Sequence, residues 1–84
     1  MSWQGRYFDG KSAVRHDVTL EIESDRLDLA PVSGATLHWA FGELYWVEKP
    51  GSGAVHLGAS TSPGARLIVE DPGFAVALRQ VFPE

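Results

Sequence analysis

Histidine is the residue type in this sequence best suited to metal binding or proton transfer. The chain has three, His16, His38 and His56, each in a separate run of alternating apolar and polar residues. It has no cysteine, which excludes thiolate-bound zinc, thiol nucleophiles and disulfides. Their positions within the runs predict that His38 and His56 face solvent and that His16 is partly buried. We therefore expect no metal ligand and no cofactor in this chain.

Nucleophilic and acid–base catalysis have equally little support. The loop serines Ser33, Ser60 and Ser62 lack the Gly-x-Ser-x-Gly turn that exposes a nucleophilic hydroxyl. The carboxylates Glu21 and Glu23 share the polar face of one predicted strand, which is typical of a solvated surface. A domain of this size has a thin core and rarely encloses a pocket that excludes water. We expect a non-catalytic domain.

A basic cluster around the first turn is one candidate binding surface. Arg6, Lys11 and Arg15 lie close together in the sequence, although Asp9 and Asp17 dilute their charge. A convergent set of cations would attract anionic lipid head groups. Ordinary surface charge on a hairpin is the competing interpretation, and the sequence favours it.

A groove beside strand 44–49 and the C-terminal helix is the other candidate surface. An extended peptide could add there as a further strand. Because Trp46 has the opposite parity to its neighbours, it is exposed if they are buried, and it would then anchor a partner. Packing of Trp46 under the helix or a loop is the equally weighted alternative. The residues assigned to this partner groove are Tyr45, Trp46, Val47 and Arg79.

The elements that position these residues are mainly strands, because the dominant hydrophobic period is two. The clearest run places Val18, Leu20 and Ile22 on one face. Turn residues such as Asp9-Gly10 separate the runs. The predicted strands cover 3–8, 14–23, 26–30, 36–40, 44–49, 54–57 and 65–70.

The pattern changes to that of a helix over 72–82. Asp71 suits the N-cap and Pro72 the first helical position. An apolar stripe follows at Phe74, Leu78, Val81 and Phe82, and a helix this short must dock on the sheet to be stable. The element order predicts one mostly β domain over 1–84, similar to the pleckstrin-homology superfold. Its architecture is a bent sheet or partly open barrel of about seven antiparallel strands, capped by one C-terminal helix.

The composition of the chain indicates which kinds of partner and which location to expect. The chain of 84 residues has a net charge of −4 and is 44% hydrophobic. An acidic balance argues against nucleic acid as a partner. No apolar run has the length of a membrane span, and the N-terminus does not resemble a signal peptide. The lack of cysteine is typical of a reducing compartment, so we expect a cytoplasmic location and a protein partner.

Three blocks of sequence resemble a known family. They are GRYFDGKSA at 5–13, HDVTL at 16–20 and GARLIVEDP at 64–72. Together they resemble the N-terminal accessory domain of bacterial membrane-anchored zinc metallopeptidases related to the Ste24 and HtpX enzymes. In such proteins a transmembrane segment and a protease domain with a His-Glu-x-x-His zinc helix follow this module. The resemblance implies a zinc protease as the parent and a non-catalytic, cytoplasmic head as the role of this piece, with no zinc ligand of its own. Its partner would be the parent's downstream domains or a regulatory protein, with peripheral membrane contact as the alternative.

Overall fold

A computed structural model describes residues 2–32, 34–47 and 54–82 of the chain. Within them lie seven strands and one helix. The elements are β1 (Ser2–Phe8), β2 (His16–Ile22), β3 (Arg26–Pro31), β4 (Leu37–Ala40), β5 (Leu44–Trp46), β6 (Val55–Ala59), β7 (Arg66–Val69) and α1 (Pro72–Val81). The predicted mostly β architecture with a single C-terminal helix is confirmed.

Each strand differs from its predicted bounds by one to three residues at one or both ends, and two of these differences exclude a valine from its predicted strand. The second strand begins at His16, not at residue 14, and Val14 lies in the preceding loop with 57% of its surface exposed. The fifth strand ends at Trp46, so Val47 lies outside it, and residues 48 and 49 lie outside the described residues. Alternation of residue types marks the middle of a strand well, but hydrogen bonding to a neighbouring strand decides its ends.

The strands form one antiparallel sheet that curls into a nearly closed barrel. Their order is β4-β3-β2-β1-β7-β6-β5, which places β1 at the centre and β4 and β5 at the two edges. In β1, Trp3 pairs with Leu20 of β2, and Tyr7 pairs with Leu67 of β7. The first and last strands are therefore neighbours, although most of the chain separates them.

Every second residue of a strand points into the barrel, and in this sequence those residues are mostly apolar. The residues described include no buried polar or charged side chain. Fully buried inward-facing positions supply most of the core, namely Val18, Leu20, Leu27, Leu29, Val55, Leu57, Leu67 and Val69.

The helix begins as the sequence predicts. The Asp71 carboxylate accepts a hydrogen bond from the Gly73 backbone N–H at 2.8 Å, and Pro72 occupies the first helical position. Phe74 is fully buried and packs edge-on against Trp3 with ring centroids 5.5 Å apart. The predicted docking of the helix on the sheet is confirmed.

The end of the helix reaches the seam between the two edge strands. There the Phe82 ring stacks between two others, with centroids 5.8 Å from Phe41 and 6.0 Å from Trp46. Phe41 follows β4 and Trp46 ends β5. The helix therefore joins the two sheet edges through an aromatic contact where backbone pairing is missing.

Candidate functional site

Trp46, the proposed anchor of the partner groove, is packed against the helix. Tyr45 and Val47 are exposed, at 40% and 37%, whereas Trp46 is half-buried and stacks on Phe82. The sequence left two equally weighted alternatives for Trp46: the first, exposure between buried neighbours, is therefore wrong, and the second, packing under the helix, describes the structure. The three-residue strand has only one side facing the core, and Leu44 and Trp46 occupy it.

Tyr45 has a structural role on the outer face. It pairs directly with Gly58 of β6, and a Cβ atom added to Gly58 would lie 2.5 Å from the Tyr45 ring. The ring therefore covers the glycine, which is buried although it faces outward. Cross-strand contact of this kind is the ordinary unit of sheet stabilisation.

The backbone of β5 is bonded on one side. The Glu43 carbonyl accepts from the Ser60 N–H, and the Val47 N–H donates to the His56 carbonyl, both at 2.8 Å. In an antiparallel pair such bonds recur at alternate residues. Tyr45, midway between Glu43 and Val47, therefore also directs its backbone groups toward β6.

Leu44 and Trp46 consequently direct their backbone groups away from β6. The Leu44 N–H turns back to the Phe41 carbonyl at 3.3 Å. No strand among the described residues pairs with the outer side of β5. With respect to the described residues, the Leu44 carbonyl and the N–H and carbonyl of Trp46 thus form an open sheet edge, which is the backbone arrangement that an added strand requires.

The other edge strand is closed at the seam by Glu43. The backbone N–H of Glu43 donates to the Ala40 carbonyl at 2.9 Å, and its carboxylate accepts from the Ala40 N–H at 3.3 Å. The same carboxylate accepts a hydrogen bond from the Thr61 hydroxyl. The end of β4 is therefore occupied, whereas β5 remains open.

Arg79, the fourth residue assigned to the groove, lies in the last turn of α1 and is half-buried. Two further side chains of this helix, Val76 and Val81, are exposed at 57% and 46%. The indole N–H of Trp46 is buried and has no acceptor among the described residues. The exposure of Val81 differs from the prediction, which placed it on the apolar stripe that docks on the sheet.

The basic cluster is largely neutralised. Arg6 forms an ion pair with Glu70, and Arg15 lies 3.5 Å from the Asp17 carboxylate. Asp17 also pairs across the sheet with Arg6. The side chains on this outer surface therefore alternate in charge, and the two arginines do not converge as a cation pair.

Lys11 occupies a different environment in the β1–β2 loop. It borders a cleft of about 250 Å³ together with Asp9, Thr61 and Ser62. The Asp9 carboxylate accepts the backbone N–H groups of Lys11 and Ser12 at 2.8 and 3.1 Å. These hydrogen bonds, aided by the nearby His16 and Lys11, hold the pKa of Asp9 below its ordinary value. The loop thus keeps a carboxylate beside Lys11.

A charged cluster on the outer face of β3 and β4 was not foreseen from the sequence. Asp28 accepts from Arg26 Nε at 2.9 Å, and its carboxylate lies 2.6 Å from His38 Nδ1. Burial raises the pKa of Asp28, but the hydrogen bonds from His38 and Arg26 outweigh it and hold that pKa below its ordinary value. The alternation of apolar and polar residues predicts that these side chains lie on the outer face of the sheet. Only the pairing of β3 with β4 places Asp28 opposite His38.

The three histidines do not converge. His38 is exposed and His16 is half-buried, as expected, whereas His56, which was expected to face solvent, is half-buried. No group of three or more His, Asp or Glu side chains within residues 2–32, 34–47 and 54–82 is arranged to hold a metal ion. Across the same ranges, the one helix is too short to cross a membrane.

Within the described residues, seven strands form a nearly closed antiparallel barrel with one helix, an unpaired edge on β5, and a basic cluster whose two arginines lie beside carboxylates. Residues 2–81 match the model of a family described as a domain of unknown function, DUF7092, and the chain belongs to that family. Comparison with curated proteins and with solved structures gave no significant match.

Proposed function

We propose that this domain is a non-catalytic accessory module that binds an extended protein segment along the open edge of β5. The supporting observation is the set of backbone groups at Leu44 and Trp46 that no described strand pairs. A polypeptide in extended conformation carries donors and acceptors at the spacing of this edge, so main-chain hydrogen bonds supply affinity. Val47, exposed directly after β5, adds apolar contact.

The proposed parent is a membrane-bound zinc metalloprotease, of which this domain is the N-terminal, cytoplasmic head. The blocks at 5–13, 16–20 and 64–72 motivate this assignment. In that setting the bound segment belongs to the parent's own downstream chain or to a regulatory protein. Zinc and catalysis belong to the protease domain, and this domain contributes neither a ligand nor a catalytic group.

Peptide titration followed by NMR tests the proposal. Overlapping synthetic peptides that cover the parent's downstream sequence are added to the ¹⁵N-labelled domain. We expect chemical-shift changes in residues 44–47 and 55–59, together with slower hydrogen exchange at the Trp46 amide, because that N–H gains an acceptor. Changes confined to the opposite outer face, on β2 and β3, would dismiss the β5 edge.

A charged substitution at the edge provides a matched variant. Val47→Lys places a cation beside the open strand, and lysine at sheet edges opposes the addition of further strands. We expect weaker peptide binding with an unchanged fold, because Val47 is exposed. Val14→Lys, at an exposed valine in the β1–β2 loop, is the control and should bind as the unmodified domain does. Equal binding by both variants would contradict the assignment.

Anionic-lipid binding through Arg6, Lys11 and Arg15 is the alternative function, and it has weaker support. Two of these cations are paired with carboxylates, which reduces the charge available to a head group. Sedimentation with phosphatidylserine vesicles at low salt tests it. Binding that weakens as salt rises would favour the alternative, because exposed charges are screened, and we expect no binding.

A further inference from the structure

A cleft of about 260 Å³ opens at the end of the barrel away from the helix. Trp3 of β1 packs on Phe74 of α1, whereas Tyr7, further along the same strand, lines the cleft. A strand rises about 3.3 Å per residue, so roughly 13 Å separates the two positions. The cleft is therefore distinct from both the helix seam and the β5 edge.

Aliphatic and aromatic side chains line the cleft. Val18, Pro31 and Leu37 provide aliphatic surface, and Tyr7 and His16 provide two rings. The ring centroids of Tyr7 and His16 lie 6.1 Å apart, with the planes tilted by 43°. Aromatic rings prefer tilted or offset contacts of this kind to a face-to-face stack. We expect a ligand ring in the cleft to contact Tyr7 and His16 in the same way.

Each of the two rings carries a polar group that can form a hydrogen bond with a ligand. The Tyr7 hydroxyl and the imidazole of His16 form no hydrogen bond with any residue that the structure describes. Both side chains are half-buried. Burial, reinforced by the Asp9 carboxylate, raises the pKa of Tyr7, so the hydroxyl remains a donor at neutral pH. Half-buried donors without a partner are groups that a ligand or water satisfies.

The cleft has room for a ring. A cavity of about 150 Å³ accommodates benzene, and this cleft is larger, at about 260 Å³. Small residues keep it open: a Cβ atom added to Gly34 would approach only Pro31, at 3.9 Å. Ala35 lines the same wall and is exposed. The space suits a substituted single ring or a bicyclic ring.

We propose that this cleft is a binding site for an aromatic ring that carries a hydrogen-bonding substituent, such as an indole or a phenol. The aliphatic side chains of the cleft contact the ring of the ligand, and Tyr7 and His16 contact its polar group. The ring comes either from a free small molecule or from an aromatic side chain of a protein. The site is independent of the β5 edge, and failure of one proposal leaves the other intact.

NMR titration of the intact domain with two probes tests the site. The probes are indole and N-acetyl-tryptophanamide, which presents the same ring between peptide groups. We expect saturable shifts at Tyr7, His16, Val18 and Leu37 with at least one probe. Tighter binding of the amide identifies a protein side chain as the source, and tighter binding of indole identifies a small molecule. The absence of saturable shifts with both probes, up to millimolar concentrations, overturns the proposal.

Three variants add a second readout. Ala35→Leu should abolish binding by filling the cleft, whereas Ala13→Leu, at an exposed alanine of the β1–β2 loop, should leave it unchanged. Tyr7→Phe should weaken binding about threefold to tenfold, which corresponds to the loss of one hydrogen bond. A preserved pattern of amide shifts verifies that each variant is folded. Full affinity in both Ala35→Leu and Tyr7→Phe would refute the site even if a probe binds elsewhere.

Discussion

At the scale of single residues, Asp28 illustrates how the surface is organised. Its side chain is 18% exposed and bonds both Arg26 and His38. A partly desolvated carboxylate is stable in its charged form only when donors compensate for lost hydration. The hydrogen bonds from His38 and Arg26 provide this compensation and hold the pKa of Asp28 below its ordinary value.

The pH dependence of stability follows from that shift. A carboxyl whose pKa is lower in the folded state stabilises the fold above its unfolded pKa of about 3.9, and this contribution disappears as the pH falls through the folded pKa. We expect Asp28→Asn to be less stable than the unmodified domain at pH 6, with the difference shrinking below about pH 4. Urea unfolding at several pH values measures it. A difference that stays constant from pH 6 to pH 2.5 would contradict the assigned role of Asp28.

At the scale of elements, β5 is the strand with the least support. It has three residues, one neighbouring strand and one side covered by Phe82. The Tyr45 ring over Gly58 therefore contributes substantially to holding β5 on β6.

A double-mutant cycle isolates the contact between Tyr45 and Gly58. Gly58→Ala should destabilise the domain because the new methyl group displaces the Tyr45 ring. In a Tyr45→Ala background the same change should cost less, since no ring remains to be displaced. We expect a coupling of at least about 0.5 kcal/mol, typical of residues in contact, from urea unfolding of the four proteins. Strictly additive effects would show that the ring does not cover the glycine in solution.

At the scale of the whole molecule, two loops hold the barrel together at the end opposite the helix. Gly10 has a φ of +81° and Gly64 a φ of +86°. Their backbones touch, because a Cβ atom added to Gly10 would lie 2.5 Å from the Gly64 carbonyl carbon. The β1–β2 loop is thereby fixed against the loop between β6 and β7.

Substitution of Gly10 therefore tests the closure of the barrel. Gly10→Ala combines an unfavourable positive φ with a backbone clash, and we expect a loss of about 1–3 kcal/mol in the free energy of unfolding. Gly42→Ala is the matched control, because a Cβ atom there meets nothing within 4 Å. Its effect should stay within about 0.5 kcal/mol. Equal stability of the two variants would indicate that the loops separate in solution.

The sequence alone determined the sidedness of most strands and the start of the helix. Val18 and Leu20 face the core because period-two alternation is a local property of the chain. The cap at Asp71 and Pro72 is equally local, since it involves residues adjacent in sequence. These features were predictable without knowing which strands are neighbours.

The tertiary structure decided everything that depends on neighbours. In a strand of three residues, alternation does not indicate which residues face the core. The structure shows that Trp46 faces inward, where its ring stacks on Phe82. Arg6 meets Glu70 because β1 pairs with β7, and Asp28 meets His38 because of the β3–β4 register. Strand order and register arise from closure of the sheet over a shared core. Residues far apart in sequence are brought together only by that closure, and local periodicity carries no information about it.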